Sequence, residues 1–141
     1  MKKIILISCV SKKRNIACKA RELYQSTLFK LSLAYAETLN ADHIFILSAL
    51  HGVVELDSII EPYNITLNNM SEKDKKDWAQ KVMVQLKDKG IDFEQDQIIF
   101  LAGNNYRKHL ICEFKKSKVP MKGLRIGEQL SFLKERNSYG R

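Results

Sequence analysis

The chain has little cysteine and little proline, with three cysteines and two prolines among its 141 residues. Cys9, Cys18 and Cys112 form no Cys-x-x-Cys pair, and their spacing to the three histidines does not match that of a zinc site. The sequence therefore predicts no bound metal. An odd number of cysteines without an export signal is typical of proteins in a reducing compartment, so we expect a cytoplasmic location.

The chain also lacks a long apolar run. Its longest, Ile4–Ile7 and Ile98–Ala102, are far too short to cross a bilayer. The apolar stretch near the N-terminus is too short for the core of a signal peptide, and Lys12 and Lys13 follow it directly. We therefore predict neither export nor contact with a membrane.

Glycine-rich phosphate-binding signatures are missing as well. The chain has only six glycines, and none of them belongs to a GxxxxGK[ST] loop or a GxGxxG fingerprint. The sequence thus supports neither a P-loop nor a dinucleotide-binding turn, and it predicts no cofactor.

The composition that remains is ordinary for a globular protein, but its charge is uneven. Hydrophobic residues make up 45% and charged residues 28%, with a net charge of +8. Residues 1–30 carry a balance of +7, residues 31–105 one of −6, and residues 106–141 one of +7. Two basic ends on one face would attract anions, nucleic acid among them, whereas solvated lysine-rich ends would only aid solubility. The sequence leaves both interpretations open, and it does not indicate an oligomeric state.

Three short runs of Ile, Leu and Phe without polar alternation predict buried parallel strands. They span Lys3–Ser8, His43–Ser48 and Gln97–Ala102, and a fourth strand is expected near residues 124–126. Helical patterns separate them: from a Ser26 cap to Leu39, from a Ser71 cap to a stop at Gly90, from Asn104 or Asn105 to Phe114, and after Gly127. This alternation predicts one α/β domain over residues 1–141, a three-layer, Rossmann-like fold with an open, mainly parallel sheet of three or four strands flanked by helices.

Polar side chains cluster where the predicted strands end, and in open parallel sheets ligands bind beyond those carboxyl ends. The ends read Ser8 to Lys13, Ser48 to Gly52, and Ala102 to Asn105. We predict that they converge on one ligand site under the long segment 52–70, because long loops in small domains are often functional. The candidate ligand-binding residues are Ser8, Cys9, Ser11, Lys12, Lys13, Tyr24, Ser26, Ser48, Gly52, Tyr63, Gly103 and Asn104.

The first strand end combines a thiol, hydroxyls and ammonium groups. Its backbone amides, with Ser11 and Lys12 or Lys13, are suited to hold a phosphate or carboxylate. Cys9 is either a nucleophile activated by these cations or a small buried residue at a strand end. We expect burial, because Cys9 directly follows apolar residues and Ser8.

The second strand end offers a candidate for proton transfer. His51 precedes Gly52, which lets the backbone turn sharply, and the imidazole is suited to act as a general base, a general acid or a hydrogen-bond donor with Glu61 as its partner. The rings of Tyr63 and Tyr24 offer faces on which a nucleobase can stack. A structural His51 and a loop packed by its own side chains would produce the same sequence.

Several elements in chain order carry a family resemblance. They are Ser8-Cys9 with Lys12-Lys13, residues 20–26 leading to Phe29, residues 46–52, residues 62–67, Gly103 with Tyr106, and Gly127 with Leu130. The sequence resembles an uncharacterised bacterial and phage family of domains of unknown function over nearly its whole length. The Ser-Ala-x-His-Gly stretch at its centre is the most specific element. This resemblance identifies a family and implies no reaction.

More distantly, Ser8-Cys9 followed by Tyr24-x-Ser26 is similar to a domain of archaeosine synthases, and the YaaA-type peroxide-stress proteins are also similar. Those groups touch modified nucleobases, tRNA or DNA, and the archaeosine domain resembles the uracil-DNA-glycosylase architecture. The resemblance therefore implies a fold of that kind by analogy. This chain departs from the pattern where a Lys-Pro-Tyr element is expected, because it has Lys12-Lys13-Arg14 there.

Three functional hypotheses follow from these residues. The first is an enzyme acting on a nucleobase, nucleoside or nucleotide by glycosidic-bond cleavage, transfer or base modification, with His51 and Glu61 handling protons. The second is a non-catalytic module that binds a nucleotide-like or other anionic small molecule in the same site, or nucleic acid through the basic ends. The third is a partner-binding domain whose strand-end residues are structural.

Overall fold

A computed structural model describes residues 1–139 of the chain. Five strands form one sheet, and two short strands form a separate antiparallel pair. The sheet contains β1 (Lys3–Ser8), β3 (His43–Ser48), β4 (Gly52–Glu55), β6 (Gln97–Leu101) and β7 (Lys116–Lys118), and the pair is β2 (Cys18–Lys19) with β5 (Ile59–Ile60).

Five helices lie between these strands or after the last of them. They are α1 (Ala20–Leu23), α2 (Thr27–Glu37), α3 (Glu72–Asp88), α4 (Asn104–Arg107) and α5 (Ile126–Tyr139), with 3-10 turns at Leu67–Asn69 and Ile111–Glu113. Ser26 Oγ accepts from the Phe29 amide at 3.1 Å and Ser71 Oγ from the Asp74 amide at 3.2 Å, so both predicted helix caps are confirmed. Within residues 1–139, no helix combines the length and hydropathy that crossing a membrane requires.

The centre of the sheet is β1, which has a parallel neighbour on each side. Leu6 lies in register with Phe45 of β3 and with Phe100 of β6. Ile4, Ile5 and Leu6 are fully buried, because helices cover both faces of the sheet. Each such side chain contributes roughly 1.5–3 kcal/mol to folding through the apolar area that it removes from water.

The strand order fixes where a ligand site can form. Across the sheet the order is β4-β3-β1-β6-β7, so the chain runs from β1 to a neighbour on one side and later crosses back to the other side. Right-handed crossovers then place α2 and α3 on opposite faces, with α5 packed beside α2 and α4 beside α3. The connections move across the sheet in opposite directions on either side of the β1–β6 pair, although the two strands are parallel. In doubly wound sheets, ligands bind at the carboxyl ends of such a pair.

The predicted α/β fold with its mainly parallel sheet is confirmed, and three details of the prediction are wrong. The sheet has five strands because β4 adds an antiparallel edge inside the segment expected to be a long loop. The fourth parallel strand is β7, which carries no apolar residue to reveal it, whereas residues 124 and 125 are irregular and residue 126 begins α5. The third helix ends at Arg107, and Leu110 and Phe114 are buried from the residues just before and just after the 3-10 turn instead.

The outer edge of β4 is paired with a side chain. Gln85 of α3 accepts from the Val53 amide through Oε1 at 2.8 Å and donates from Nε2 to the His51 carbonyl at 3.0 Å. Gly52 lies between them with a φ of +77°, and a Cβ atom there would overlap the Gln85 side chain. A glycine is required at this turn for two reasons: its backbone conformation and the close approach of Gln85.

Gly52→Ala is therefore expected to lower the free energy of unfolding by about 1–3 kcal/mol, the range found for residues forced into a disfavoured backbone region. The measurement is a urea titration of both proteins at neutral pH. Gly127→Ala on α5 is the matched control, because its Cβ would meet no atom within 4 Å and its φ is not positive. It should change stability by less than about 1 kcal/mol, in the stabilising direction. Equal stability of Gly52→Ala and the wild-type protein would contradict this account of the turn.

Candidate functional site

A cavity of about 570 Å³ opens at the carboxyl ends of β1 and β6, where the strand order reverses. The first strand end contributes Ser8, Cys9, Ser11 and Lys13 to its lining, and the third contributes Gly103 and Asn104. The rest of the wall comes from segment 64–68, α2, α4, the segment after β7 and the start of α5. The structure thus brings two of the three predicted strand ends together around one concavity.

The charged groups that line this cavity are all cationic. Lys13 and Arg107 both line it, and no aspartate or glutamate does so among the residues that the structure describes. Amide side chains add further polar groups, namely Asn64, Asn68, Asn104, Asn105 and Gln129. An anion entering this space meets positive charge and amide groups without an opposing carboxylate, which favours its binding.

Part of the wall is apolar. Leu28 and Phe29 of α2 lie there, together with Phe100 of β6 and with Val119 and Met121 from the segment after β7. A cavity with an apolar wall and a few placed polar groups is typical of sites for small molecules that carry a ring and a charged group.

Lys13 is held in place by backbone pairing although it lies in a loop. The Arg14 amide donates to the Leu23 carbonyl at 2.9 Å, and the Gln25 amide donates to the Lys12 carbonyl at 2.8 Å. This short antiparallel bridge between residues 13 and 24 directs the Lys13 ammonium group over the Tyr63 ring, 4.4 Å from its centroid. Burial lowers the pKa of Lys13, and the nearby thiol of Cys9 opposes that shift.

A chain of hydroxyl groups lies next to this ammonium group. The Tyr63 hydroxyl is 2.7 Å from that of Tyr24 and accepts from Ser48 Oγ at 2.8 Å. Ser48 Oγ in turn accepts from the His51 amide at 3.0 Å, and the Ser48 carbonyl accepts from Trp78 Nε1 at 2.9 Å. Burial raises the pKa of both tyrosines well above the usual range, so the hydroxyls stay neutral. The chain ties the 61–66 loop to the end of β3.

The remaining predicted site residues lie outside the cavity lining. Those that do not line it are Lys12, Tyr24, Ser26, Ser48, Gly52, His51, Glu61 and Tyr63. The His51 ring packs edge-on against the Tyr63 ring at 5.8 Å, and Glu61 is exposed. The second strand end therefore supports the wall through the hydroxyl chain, and Ser26 caps α2.

Cys9 is 7% exposed and borders the cavity. Its thiol donates to the Tyr106 hydroxyl at 3.4 Å, and the same hydroxyl accepts from the Leu67 amide at 3.4 Å. Burial raises the pKa of Tyr106 to about 12, so this phenol remains protonated at neutral pH. The burial of Cys9 that we expected from its position is present.

Several lining residues were not predicted from the sequence. Arg107 follows Asn104 by three residues at the end of α4 and donates from Nη1 to the Ala102 carbonyl at 2.6 Å, which keeps it beside the strand end. Its place in the first turn after a strand was the available signal. Asn64, Asn68 and Gln129 reach the cavity from loop and helix positions that have no local signal.

Cation coordination has no candidate here. Within residues 1–139, no group of three or more His, Cys, Asp or Glu side chains is arranged to hold a metal ion.

A family model described as "Family of unknown function (DUF6884)" matches residues 4–135. The family resemblance seen in the sequence is thereby confirmed over nearly the whole chain. No curated protein and no solved structure shows significant similarity to the chain.

Tyr63→Phe is expected to lower the free energy of unfolding by about 1–3 kcal/mol at pH 7, because it leaves the buried Tyr24 hydroxyl without a partner and the Ser48 hydroxyl without its acceptor. An unfolded phenol ionises near its ordinary pKa of 10.0, whereas Tyr63 in the folded protein does not. The contribution of the Tyr63 hydroxyl to stability is therefore fully present below about pH 10 and is lost as the pH rises further. The free energy of unfolding of the variant should fall less steeply with pH than that of the wild-type protein. Urea titrations from pH 7 to 10.5 measure both effects.

Tyr35→Phe is the control, since Tyr35 packs on Phe132 and takes no part in the chain of hydroxyl groups. An equal loss of stability in that variant would contradict the prediction.

The cysteines should react with iodoacetamide at neutral pH in the order of their exposure. Cys112 is exposed, Cys18 is half-buried and Cys9 is buried, so Cys112 is expected to be labelled first and Cys9 last. Mass spectrometry of timed samples gives the three rates. Faster labelling of Cys9 than of Cys112 would show that Cys9 is an activated nucleophile and would overturn this order.

Proposed function

The chain belongs to the DUF6884 family, whose function is unknown, and we propose that it binds a small anionic, nucleotide-like molecule in the cavity between β1 and β6. The observation that carries this proposal is the charge of the lining. Lys13 and Arg107 reach the cavity from different parts of the chain. Within residues 1–139, no aspartate or glutamate lines the cavity beside them.

The proposed division of the site follows from the chemistry of its two parts. The cations and Ser11 bind the phosphate, since an ammonium and a guanidinium group make charge-assisted hydrogen bonds worth roughly 1.5–3 kcal/mol each. The apolar side chains of Leu28, Val119 and Ile126, which line the cavity and are not fully buried, cover the ring. A volume of about 570 Å³ lies within the 300–1,000 Å³ usual for small-molecule sites.

A second candidate function is catalysis on the same nucleotide-like ligand, by glycosidic-bond cleavage, transfer or base modification. The observation that favours it is the pair formed by Lys13, whose pKa is lowered by burial, and the nearby thiol of Cys9, both at the cavity wall. His51 and Glu61 do not line the cavity, so a reaction there would use other groups. Chromatography of each ligand after prolonged incubation with the protein tests for turnover.

Nucleic-acid binding through the basic ends is the weaker alternative. Lys2 and Lys3 lie at the opposite ends of the strands from the cavity, where their ammonium groups donate to the carbonyls of Gly90 at 2.8 Å and Leu39 at 3.0 Å. The basic residues are therefore divided between two ends of the sheet. A polynucleotide mode would be recognised by affinity that rises with length and falls steeply with salt.

The test is calorimetric titration with the four ribonucleoside 5′-monophosphates and with their nucleosides. We expect at least one monophosphate to bind and its nucleoside to bind much more weakly. Lys13→Met should weaken that binding by about 10- to 100-fold, which corresponds to the loss of one charge-assisted hydrogen bond.

Lys12→Met is the matched control, because Lys12 is the exposed neighbour of Lys13 and does not line the cavity. It should change the affinity by less than about twofold, as a distant screened charge does. Binding of no monophosphate, or equal losses in the two variants, would overturn the proposal.

A further inference from the structure

A buried lysine lies directly behind the cavity wall. Lys75 of α3 is 9% exposed, and it is the one lysine among the buried side chains of residues 1–139. Its ammonium group donates to Glu72 Oε1 and to Asn105 Oδ1, each at 3.3 Å. Lys75 itself does not line the cavity, whereas Asn105 does.

These contacts fix the orientation of two side-chain amides. An ammonium group can only donate, so the Asn105 oxygen faces Lys75 and the Asn105 nitrogen faces away. That nitrogen donates to Asn68 Oδ1 at 2.7 Å. Because the Asn68 oxygen is turned toward Asn105, the NH2 group of Asn68, which also lines the cavity, is the end of this exposed amide that points away from that contact.

We infer that Lys75 is a positioning residue: through Asn105 it orients the Asn68 amide so that the cavity presents an N–H donor to an oxygen acceptor on the ligand. This inference rests on the proposed function and deepens it. The acceptor is a phosphate oxygen or a carbonyl oxygen on the ring. A ligand with an N–H group at that place is expected to bind more weakly, because two donors would face each other without forming a hydrogen bond.

The start of this relay is held by a shared carboxylate. Glu72 Oε1 also accepts from Lys108 Nζ at 2.6 Å, and Glu72 Oε2 lies 3.0 Å from His109 Nε2. These hydrogen bonds lower the pKa of Glu72 to about 2, so it stays charged near neutral pH. The network connects α3 to the chain after α4 and holds the Lys75 ammonium group in the position from which it donates to Asn105.

The experiment is a double-mutant cycle between Lys75→Met and Asn68→Ala, read as the affinity for the monophosphate that the wild-type protein binds. Lys75→Met alone should weaken binding about tenfold, because the Asn68 amide is then free to turn its oxygen toward the ligand. In the Asn68→Ala background the same substitution should cost less than about twofold. Lys76→Met, at the next and exposed position of α3, is the control and should leave the affinity unchanged.

The choice of ligand identifies the acceptor. UMP, CMP and uridine differ in their phosphate and in a keto or amino group on the ring. A Lys75→Met effect on UMP and CMP but not on uridine assigns the contact to the phosphate. An effect on UMP and uridine but not on CMP assigns it to the carbonyl at position 4 of the ring, where cytosine has an amino group.

Two results separate the relay from the proposed function. If the wild-type protein binds a monophosphate and Lys75→Met binds it equally well, or if the losses from Lys75→Met and Asn68→Ala simply add, the relay is wrong and the proposed function stands. If the wild-type protein binds none, the proposed function fails, and ¹H–¹⁵N spectra of the side-chain amides decide the relay. Lys75→Met should shift the Asn68 and Asn105 signals while Lys76→Met shifts neither, and an unmoved Asn68 signal would overturn it. Should Lys75→Met fail to fold, Asn105→Leu breaks the relay at its middle and enters the same cycle.

Discussion

The parallel pairing of β1 on both of its edges is the constraint on which the rest of the structure depends. A strand with two parallel neighbours needs crossover connections, and these cover both faces of the sheet with helices. Its apolar side chains are thereby fully buried, as Ile4, Ile5 and Leu6 show. Since the crossovers leave in opposite directions, a gap opens at the carboxyl ends of β1 and β6, and the cavity lies there.

The sequence was informative wherever structure follows from short-range chemistry. Runs of Ile, Leu and Phe predicted β1 and β3 to the residue, and the caps at Ser26 and Ser71 were predicted because an N-cap is decided within four residues. Strand β7 could not be predicted, since its Lys-Ser-Lys sequence gains strand geometry only from pairing with β6. The antiparallel strand β4 was missed because Gly52 predicts a turn. The strand also depends on contacts distant in the sequence or set by the fold, namely the pairing of β4 with β3 and the hydrogen bond from Val53 to Gln85.

The same distinction applies to the site. Six of the predicted residues line the cavity because each lies at or just after the end of a parallel strand: Ser8, Cys9, Ser11, Lys13, Gly103 and Asn104. His51 also follows a strand, but β3 is one strand away from the reversal point and turns straight into β4, so its end supports the wall. Asn68 and Lys75 take part through contacts with Asn105 that span 37 and 30 residues along the chain, a distance at which single-sequence patterns carry no information.

The two edge strands of the sheet, β4 and β7, are protected against pairing with a further strand by different physical means. At β4, the Gln85 amide satisfies a backbone donor and a backbone acceptor, and so it stands where the peptide group of another strand would lie. At β7, exposed lysines 116 and 118 repel an incoming basic strand by charge alone. The first barrier is a set of short hydrogen bonds that ionic strength barely affects, whereas the second acts through solvent and is screened within about 10 Å at 0.1 M salt. Pairing of a further strand with this sheet would therefore be hindered at one edge by hydrogen-bond geometry and at the other by charge that the ionic strength of the medium controls.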